Sequence, residues 1–128
     1  MNPSNKIETR TSTIHIDGCI LYSTFKQESD ITLEDLTENY EARVELQKKQ
    51  PKLVLIDARG VWQLSNEARE FAGKDRYKGL STAMAIVTDK SMGARIIANF
   101  YIKLNTPSYP TKLFNSKQKA MEWLESFK

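Results

Sequence analysis

Residues 51–60 read Pro-Lys-Leu-Val-Leu-Ile-Asp-Ala-Arg-Gly, and this stretch decides the fold. Its centre, Leu53 to Ile56, is a continuous apolar run with Pro51 and Gly60 on its flanks. Such a run is typical of a strand buried on both faces, as in parallel sheets that carry helices. The stretch therefore predicts a central strand of an α/β domain.

Further strands are predicted on both sides of this run. Residues 82–87 form a second buried run, and residues 112–114 predict a short edge strand. Residues 13–16 and 20–25 flank Asp17-Gly18, a dipeptide that favours a tight hairpin turn. The sequence thus predicts an N-terminal β-hairpin, followed by alternating helices and mostly parallel strands joined by right-handed crossovers.

Four helices are predicted in the same way. Thr32 and Asp35 resemble a capping box at the start of the first helix. An apolar stripe on this helix is predicted to face the sheet and comprises Leu33, Leu36, Tyr40 and Val44. The other helices are predicted to begin after Ser65, after Ser91 and after Asn115 or Ser116. The prediction is an α/β fold with about five strands and four helices.

Length and composition indicate one domain. The chain has 128 residues, of which 40% are hydrophobic and 27% charged, as in ordinary globular proteins. Residues 1–11 are expected to be a flexible tail, and residues 12–128 the domain. One cysteine, Cys19, and one histidine, His15, exclude an intrachain disulfide and a zinc site of Cys and His alone. We expect a cytoplasmic protein with no membrane span, no metal and no cofactor.

The charge is distributed unevenly along the chain. Residues 1–73 hold 9 Lys and Arg against 12 Asp and Glu, a net charge of −3, whereas residues 74–128 hold 10 against 4, a net of +6. The positive half is compatible with an anionic partner or with a solvated surface of mixed charge. Its lysines are dispersed and not interleaved with aromatic residues, so we expect no nucleic-acid binding.

No sequence motif for catalysis or nucleotide binding is present, so we expect no enzyme and no catalytic residues. Ligands of open parallel sheets bind beyond the carboxyl ends of the strands. Polar residues follow three predicted strands there, with Asn115 and Ser116 at the third, and the hypothetical ligand-binding set is Asp57, Arg59, Asp89, Lys90, Ser91 and Arg95. Asp57 and Asp89 are the two acids that a shared catalytic site would use. Ser91 can equally be no more than a helix cap.

The order and size of the elements resemble those of STAS domains, and more closely the STAS/SEC14-like (SpoIIAA-like) group of small bacterial proteins of unknown function. The resemblance covers about residues 12–127. Its matching segments are Leu53–Val61, Ala68-Arg69-Glu70, Ala83–Ile86, Ile96–Phe100, Pro110–Phe114 and Ala120–Leu124. The resemblance implies a single STAS-like domain, and its motifs speak to fold more than to activity.

STAS domains of the anti-sigma-antagonist type carry a phosphorylatable serine in an Asp-Ser-Ser-Gly turn. Counted from Asp57, that turn corresponds to residues 65–68, which read Ser-Asn-Glu-Ala. Asn66 stands at the phosphorylated position, so the resemblance does not extend to a kinase-controlled switch. Ser65 is a candidate for a shifted phosphosite and, alternatively, a plain N-cap.

Two functions follow as expectations. The first is a non-enzymatic regulatory or interaction domain that binds a protein partner or forms a homodimer. The second is a binding protein for a small anionic or lipid ligand, which would lie at the turn from Lys90 to Arg95 or against Phe100 and Tyr101.

Overall fold

The backbone is organised around a six-stranded sheet. The computed structural model describes residues 5–73, 79–89 and 109–128. The sheet contains β1 (Lys6–Glu8), β2 (Ser12–Asp17), β3 (Ile20–Phe25), β5 (Lys52–Asp57), β7 (Ser81–Val87) and β8 (Thr111–Phe114), paired in that order. The first three strands are antiparallel, and β3, β5, β7 and β8 are parallel. The predicted hairpin followed by a parallel sheet is confirmed.

A second, two-stranded sheet consists of β4 (Ser29–Ile31) and β6 (Val61–Leu64), which are parallel. The described residues therefore form eight strands, against about five predicted. The additional strands are β1, β4 and β6. Each has only three or four residues, too few for a period of two to stand out from a loop.

The predicted tail, residues 1–11, contains one of these additional strands. Within β1, Lys6 pairs with His15 and Ile7 with Ile14. The side chain of Ile7 packs against the core. Sheet structure therefore begins at Lys6, before the predicted domain boundary at residue 12.

Three helices cover the sheet within the described residues: α1 (Leu33–Gln47), α2 (Asn66–Gly73) and α3 (Lys117–Glu125). α1 and α2 pack on one face, where Leu36, Ala42, Ala68 and Phe71 join a core with Ile14 and Val54. α3 packs on the other face, where Ala120 and Leu124 are fully buried against residues of β5 and β7. The helix predicted after Ser91 lies outside the described residues.

The hairpin turn differs by one residue from the predicted one. Asp17 pairs with Ile20, so the two-residue loop is Gly18-Cys19. Gly18 has φ = 63°, while Cys19 is not among the residues with positive φ. Glycine at the first of two loop positions is the arrangement of a type II′ turn, which suits the twist of antiparallel strands.

The first helix confirms the predicted capping box but buries a different face. Thr32 accepts a hydrogen bond from the Asp35 N–H, and Asp35 accepts one from the Thr32 N–H. Val44, predicted to face the sheet, is 42% exposed. The buried face instead carries a row of polar side chains four residues apart, here called the polar row: Asp35, Asn39, Arg43 and Gln47.

Partners from other elements satisfy the polar row. Arg10 Nε donates to Asp35 Oδ1 at 2.8 Å, and Ser12 Oγ donates to Asn39 Oδ1 at 3.3 Å. The guanidinium of Arg43 donates to Gln47 Oε1 and Ser81 Oγ, both at 3.1 Å, and Gln47 Nε2 donates to Leu80 O at 2.7 Å. Buried polar groups are tolerated when they are hydrogen-bonded, which explains why this face of α1 need not be apolar.

Candidate functional site

The candidate site lies at the carboxyl edge of the parallel strands. Asp57 is the last residue of β5, opposite Thr24 of β3, and Asp89 follows two residues after the end of β7. The side chains of Asp57 and Leu55 point to the α3 face of the sheet, because alternate residues of a strand share a face. The structure thus places Asp57 at the edge that the sequence predicted.

Asp57 and Arg59 form a closed, two-pronged ion pair. Arg59 Nε donates to Asp57 Oδ1 at 2.9 Å, and Arg59 Nη2 donates to Asp57 Oδ2 at 2.7 Å. The backbone N–H of Arg59 also donates to Asp57 Oδ1, at 3.2 Å. The Asp57 side chain is 12% exposed and that of Arg59 is 43% exposed. The acid is thus an internal anchor, and the guanidinium forms the accessible surface of the pair.

The charges at this edge keep Asp57 ionised. Burial by itself would raise the pKa of the Asp57 carboxyl, but the hydrogen bonds from Arg59 and the charges of Arg59 and Lys117 outweigh it and leave the pKa below its ordinary value. The hydrogen bond to Asp57 and the charge of Asp57 raise the pKa of Arg59, and the charge of Asp89 raises it further. Arg59 therefore interacts electrostatically with two other predicted ligand residues, Asp57 and Asp89.

Beyond this edge, the backbone of β3 and of β5 continues into the small sheet. β4 begins four residues after β3, and β6 begins four residues after β5. Gly60 is the contact point between the two connections, because a Cβ placed on it would lie 2.4 Å from Lys26 O and 2.6 Å from Phe25 O. The Ser29 N–H donates to Gly60 O at 2.9 Å. Backbone therefore lies close against backbone at this point beyond β3 and β5.

Lys117, at the start of α3, is a site residue that the sequence analysis did not identify. Its charge acts on Asp57, and its Nζ lies 5.8 Å from the centre of the Tyr22 ring. Tyr22 stacks on His15 with ring centres 4.8 Å apart. Burial raises the pKa of Tyr22, and the charge of Asp17 raises it further. Lys117 was missed because it meets these groups only when α3 packs across the sheet.

Ser65 acts as the N-cap of α2. Its Oγ accepts a hydrogen bond from the Ala68 N–H at 3.1 Å. Its own N–H donates to Ile31 O at 2.9 Å, which joins the start of α2 to β4. The predicted N-cap is confirmed, while phosphorylation of Ser65 stays a prediction.

Trp62 is the most exposed large apolar side chain among the described residues. It is 57% exposed, although the ends of the same strand, Val61 and Leu64, are buried. The pairing of β4 with β6 shifts here, so that Ser29 pairs with Val61 and Asp30 with Gln63. Trp62 is the extra residue of this bulge. Bulges redirect side chains and are frequent beside functional sites. Sequence periodicity gave no sign of it, since an isolated tryptophan in a four-residue strand reads as a core residue.

The other predicted ligand residues, Lys90, Ser91 and Arg95, lie outside the described residues, as do Phe100 and Tyr101. Within residues 5–73, 79–89 and 109–128, no three His, Cys, Asp or Glu side chains gather as metal ligands would. No helix in that part of the chain has the length and apolar character needed to cross a membrane.

Comparison with known proteins supports the fold. The structure is similar to that of an uncharacterised protein of the DUF3478 family with a SpoIIAA-like fold from Shewanella loihica PV-4, with a TM-score of 0.57 and 22% identity. The match covers 88% of this chain and 91% of that one, and it confirms the predicted SpoIIAA-like fold. No curated protein matches the chain. The model of one family, described as domain of unknown function (DUF7793), matches residues 13–128. The chain therefore belongs to the DUF7793 family, and its fold is SpoIIAA-like.

Proposed function

We propose that this chain is a non-enzymatic protein-interaction module that binds its partner through the surface around Trp62. The observation that carries the proposal is the 57% exposure of Trp62 in a β-bulge. Tryptophan and arginine are enriched among the residues that dominate binding energy at protein interfaces. Arg59 lies three residues before Trp62 and is itself 43% exposed. An indole in β6 and a guanidinium on the connection before it thus lie three residues apart in the sequence.

The charges around Trp62 indicate the chemistry of the partner. Asp30 is exposed and pairs with Gln63, the neighbour of Trp62. Glu67, in the first turn of α2, is also exposed. Arg59 is neutralised by Asp57. The surface therefore combines an aromatic side chain with exposed acids, of which Asp30 also acts electrostatically on Arg10, and it suits a protein that presents basic side chains around an apolar one.

The ion pair at the strand ends supports a role without catalysis. Both carboxylate oxygens of Asp57 accept hydrogen bonds from Arg59, and the pKa of Asp57 lies below its ordinary value. A general base at neutral pH works best with a pKa nearer to 7 and with a lone pair open to substrate. Asp57 is therefore better suited to hold Arg59 in position than to move a proton.

Site-specific photo-crosslinking in the native cell tests the proposal. A photoreactive phenylalanine at position 62 is expected to capture one defined protein, whereas the same probe at position 44 captures none. Val44 is the matched control, since it is also an exposed apolar residue, but lies on α1. With that partner purified, Trp62→Ala should weaken binding by at least about tenfold, while Val44→Ala leaves it unchanged.

Two results would contradict the proposal. One is identical capture from positions 62 and 44, and the other is unchanged affinity of the Trp62→Ala variant for the captured protein. Native mass spectrometry of the purified chain adds an independent check. A small molecule that stays bound to the wild type and to Trp62→Ala alike would favour the ligand-binding function instead.

A further inference from the structure

The second feature that points to an interaction is the outer edge of β8. β8 is the last strand of the main sheet, and no other described strand pairs with it. Pro110 O accepts from the Met84 N–H, and Phe114 O accepts from the Thr88 N–H, so even-numbered residues direct their backbone groups to β7. Because these directions alternate along a strand, the N–H and C=O of Leu113 point away from the sheet.

An aromatic cluster flanks this edge on the α3 face. It consists of Phe114, Trp123 and Phe127. The Phe114 and Trp123 rings are 5.6 Å apart, and the Trp123 and Phe127 rings are 4.8 Å apart. Lys112 Nζ lies 5.5 Å from the centre of the Phe114 ring. Phe127 is 37% exposed, and Phe114 and Trp123 are half-buried. The edge therefore combines outward backbone groups with a partly uncovered apolar surface.

We propose that β8 pairs antiparallel with β8 of a second copy of this chain, around a two-fold axis that passes beside Leu113. The pairing joins the two main sheets into one. It is self-complementary, as a two-fold interface must be. Leu113 of each copy exchanges both backbone hydrogen bonds with its counterpart. Lys112 then lies opposite Phe114 of the second copy.

The charge of Lys112 favours the register centred on Leu113 over the register centred on Lys112. Residues that face each other across strands must lie on the same face of the sheet, which allows an axis at Leu113 or at Lys112. An axis at Lys112 places two ammonium groups directly opposite each other, which is destabilising. An axis at Leu113 places each Lys112 against an aromatic ring, a favourable cation–π arrangement that the single chain already shows. A lysine on an edge strand usually discourages pairing, and this register removes the repulsion.

The aromatic clusters supply the rest of the interface. A two-fold axis perpendicular to the sheet leaves both α3 helices on the same face. Each α3 lies chiefly over β7, with β5 and β8 on either side, so about three strand spacings, roughly 14 Å, separate the two helices. Helices in direct contact lie about 8–10 Å apart. The ring of Trp123, which contacts Phe114 of β8, and the adjoining ring of Phe127 fill this wider gap in the dimer.

Disulfide trapping tests both the dimer and its register. All variants carry Cys19→Ser, since Cys19 is an exposed free thiol. A mixture of the Lys112→Cys and Phe114→Cys chains should form a covalent dimer on mild oxidation, because facing residues of a non-hydrogen-bonded pair approach within disulfide range. Phe114→Cys alone, which keeps Lys112, should stay uncrosslinked because position 114 faces Lys112 of the second copy. Light scattering of the wild type should give twice the monomer mass.

Leu113→Pro removes the outward N–H and leaves the hydrogen bonds from β8 to β7 in place. It should therefore yield a monomer with unchanged far-UV circular dichroism. A wild type that remains monomeric at every accessible concentration overturns the proposal, and so does a dimeric mixture of the two cysteine chains that forms no disulfide on oxidation. A Leu113→Pro chain that folds and still dimerises also overturns it. None of these outcomes bears on Trp62, which lies in the other sheet.

Discussion

Replacing Gly60 by alanine should destabilise the chain for steric reasons alone. The φ of Gly60 is not in the left-handed region, so a positive φ adds nothing to the cost. An added Cβ would lie 2.4 Å from Lys26 O, 2.6 Å from Phe25 O and 2.7 Å from Lys26 C. Ordinary contacts begin at 3.4 Å, so backbone must move by about 1 Å, the difference between 3.4 and 2.4 Å.

The cost follows from what that movement disturbs. Overpacking costs about 1–3 kcal/mol. Distortion of the hydrogen bond from the Ser29 N–H to Gly60 O adds about 1 kcal/mol. Alanine stabilises by about 0.4–1 kcal/mol through the lower entropy of the unfolded chain. The free energy of unfolding should therefore fall by about 1–4 kcal/mol, a substantial share of the roughly 5–15 kcal/mol typical of a domain.

Urea unfolding followed by circular dichroism measures this change, with Gly18→Ala as the matched control. A Cβ on Gly18 meets nothing within 4 Å, but its φ of 63° lies in the left-handed region. Gly18→Ala should thus cost about 1–2 kcal/mol through backbone strain, and Gly18→Asn less. A Gly60→Ala variant as stable as the wild type would refute the reasoning.

Three further predictions concern polar contacts. Ser65→Ala should cost about 1 kcal/mol in urea unfolding, whereas Ser65→Asp should cost almost nothing because aspartate also caps helices; equal losses would contradict the cap. Arg59→Ala should raise the pKa of Asp57, observed by NMR titration of its carboxyl carbon, because the effect of burial is then no longer outweighed by the side chain of Arg59. An unchanged pKa would argue against the ion pair. The pKa of Asp35 is lowered, first by its hydrogen bond from Arg10, so its contribution to stability is present above the unfolded pKa of about 3.9 and is lost as the pH falls towards the folded value. Asp35→Asn should therefore flatten the acid side of a plot of stability against pH, and an identical plot would refute this.

The elements predicted correctly are those whose apolar pattern is long enough to stand alone. β5 and β7 have six and seven residues, mostly buried, and both were predicted from uninterrupted apolar runs. The Thr32 cap needs only residues within one helical turn. Such signals are local, and they also sufficed for the SpoIIAA-like fold.

The missed features depend on contacts between distant parts of the chain. The exposure of Trp62 follows from a register shift against β4, about 30 residues earlier. The approach of Lys117 to Asp57 requires α3 to pack across the sheet. The polar row is invisible to apolar periodicity, because Asp35 and Arg43 are buried only when Arg10 and Ser81 arrive from other elements. The site was therefore predicted where it coincides with a strand end, and missed where tertiary packing creates it.

The order of chemical types along the polar row fixes where α1 can sit along its axis. Acid, amide, guanidinium and amide follow one another at single-turn intervals, and each meets a different complement. A slide by one repeat of the row, four residues or about 6 Å along the helix, would place each side chain where its neighbour had been and mismatch the pairs. An apolar stripe of the same spacing would tolerate that slide at little cost. Hydrophobic burial holds α1 against the sheet, and the polar row fixes the position of α1 along its own axis.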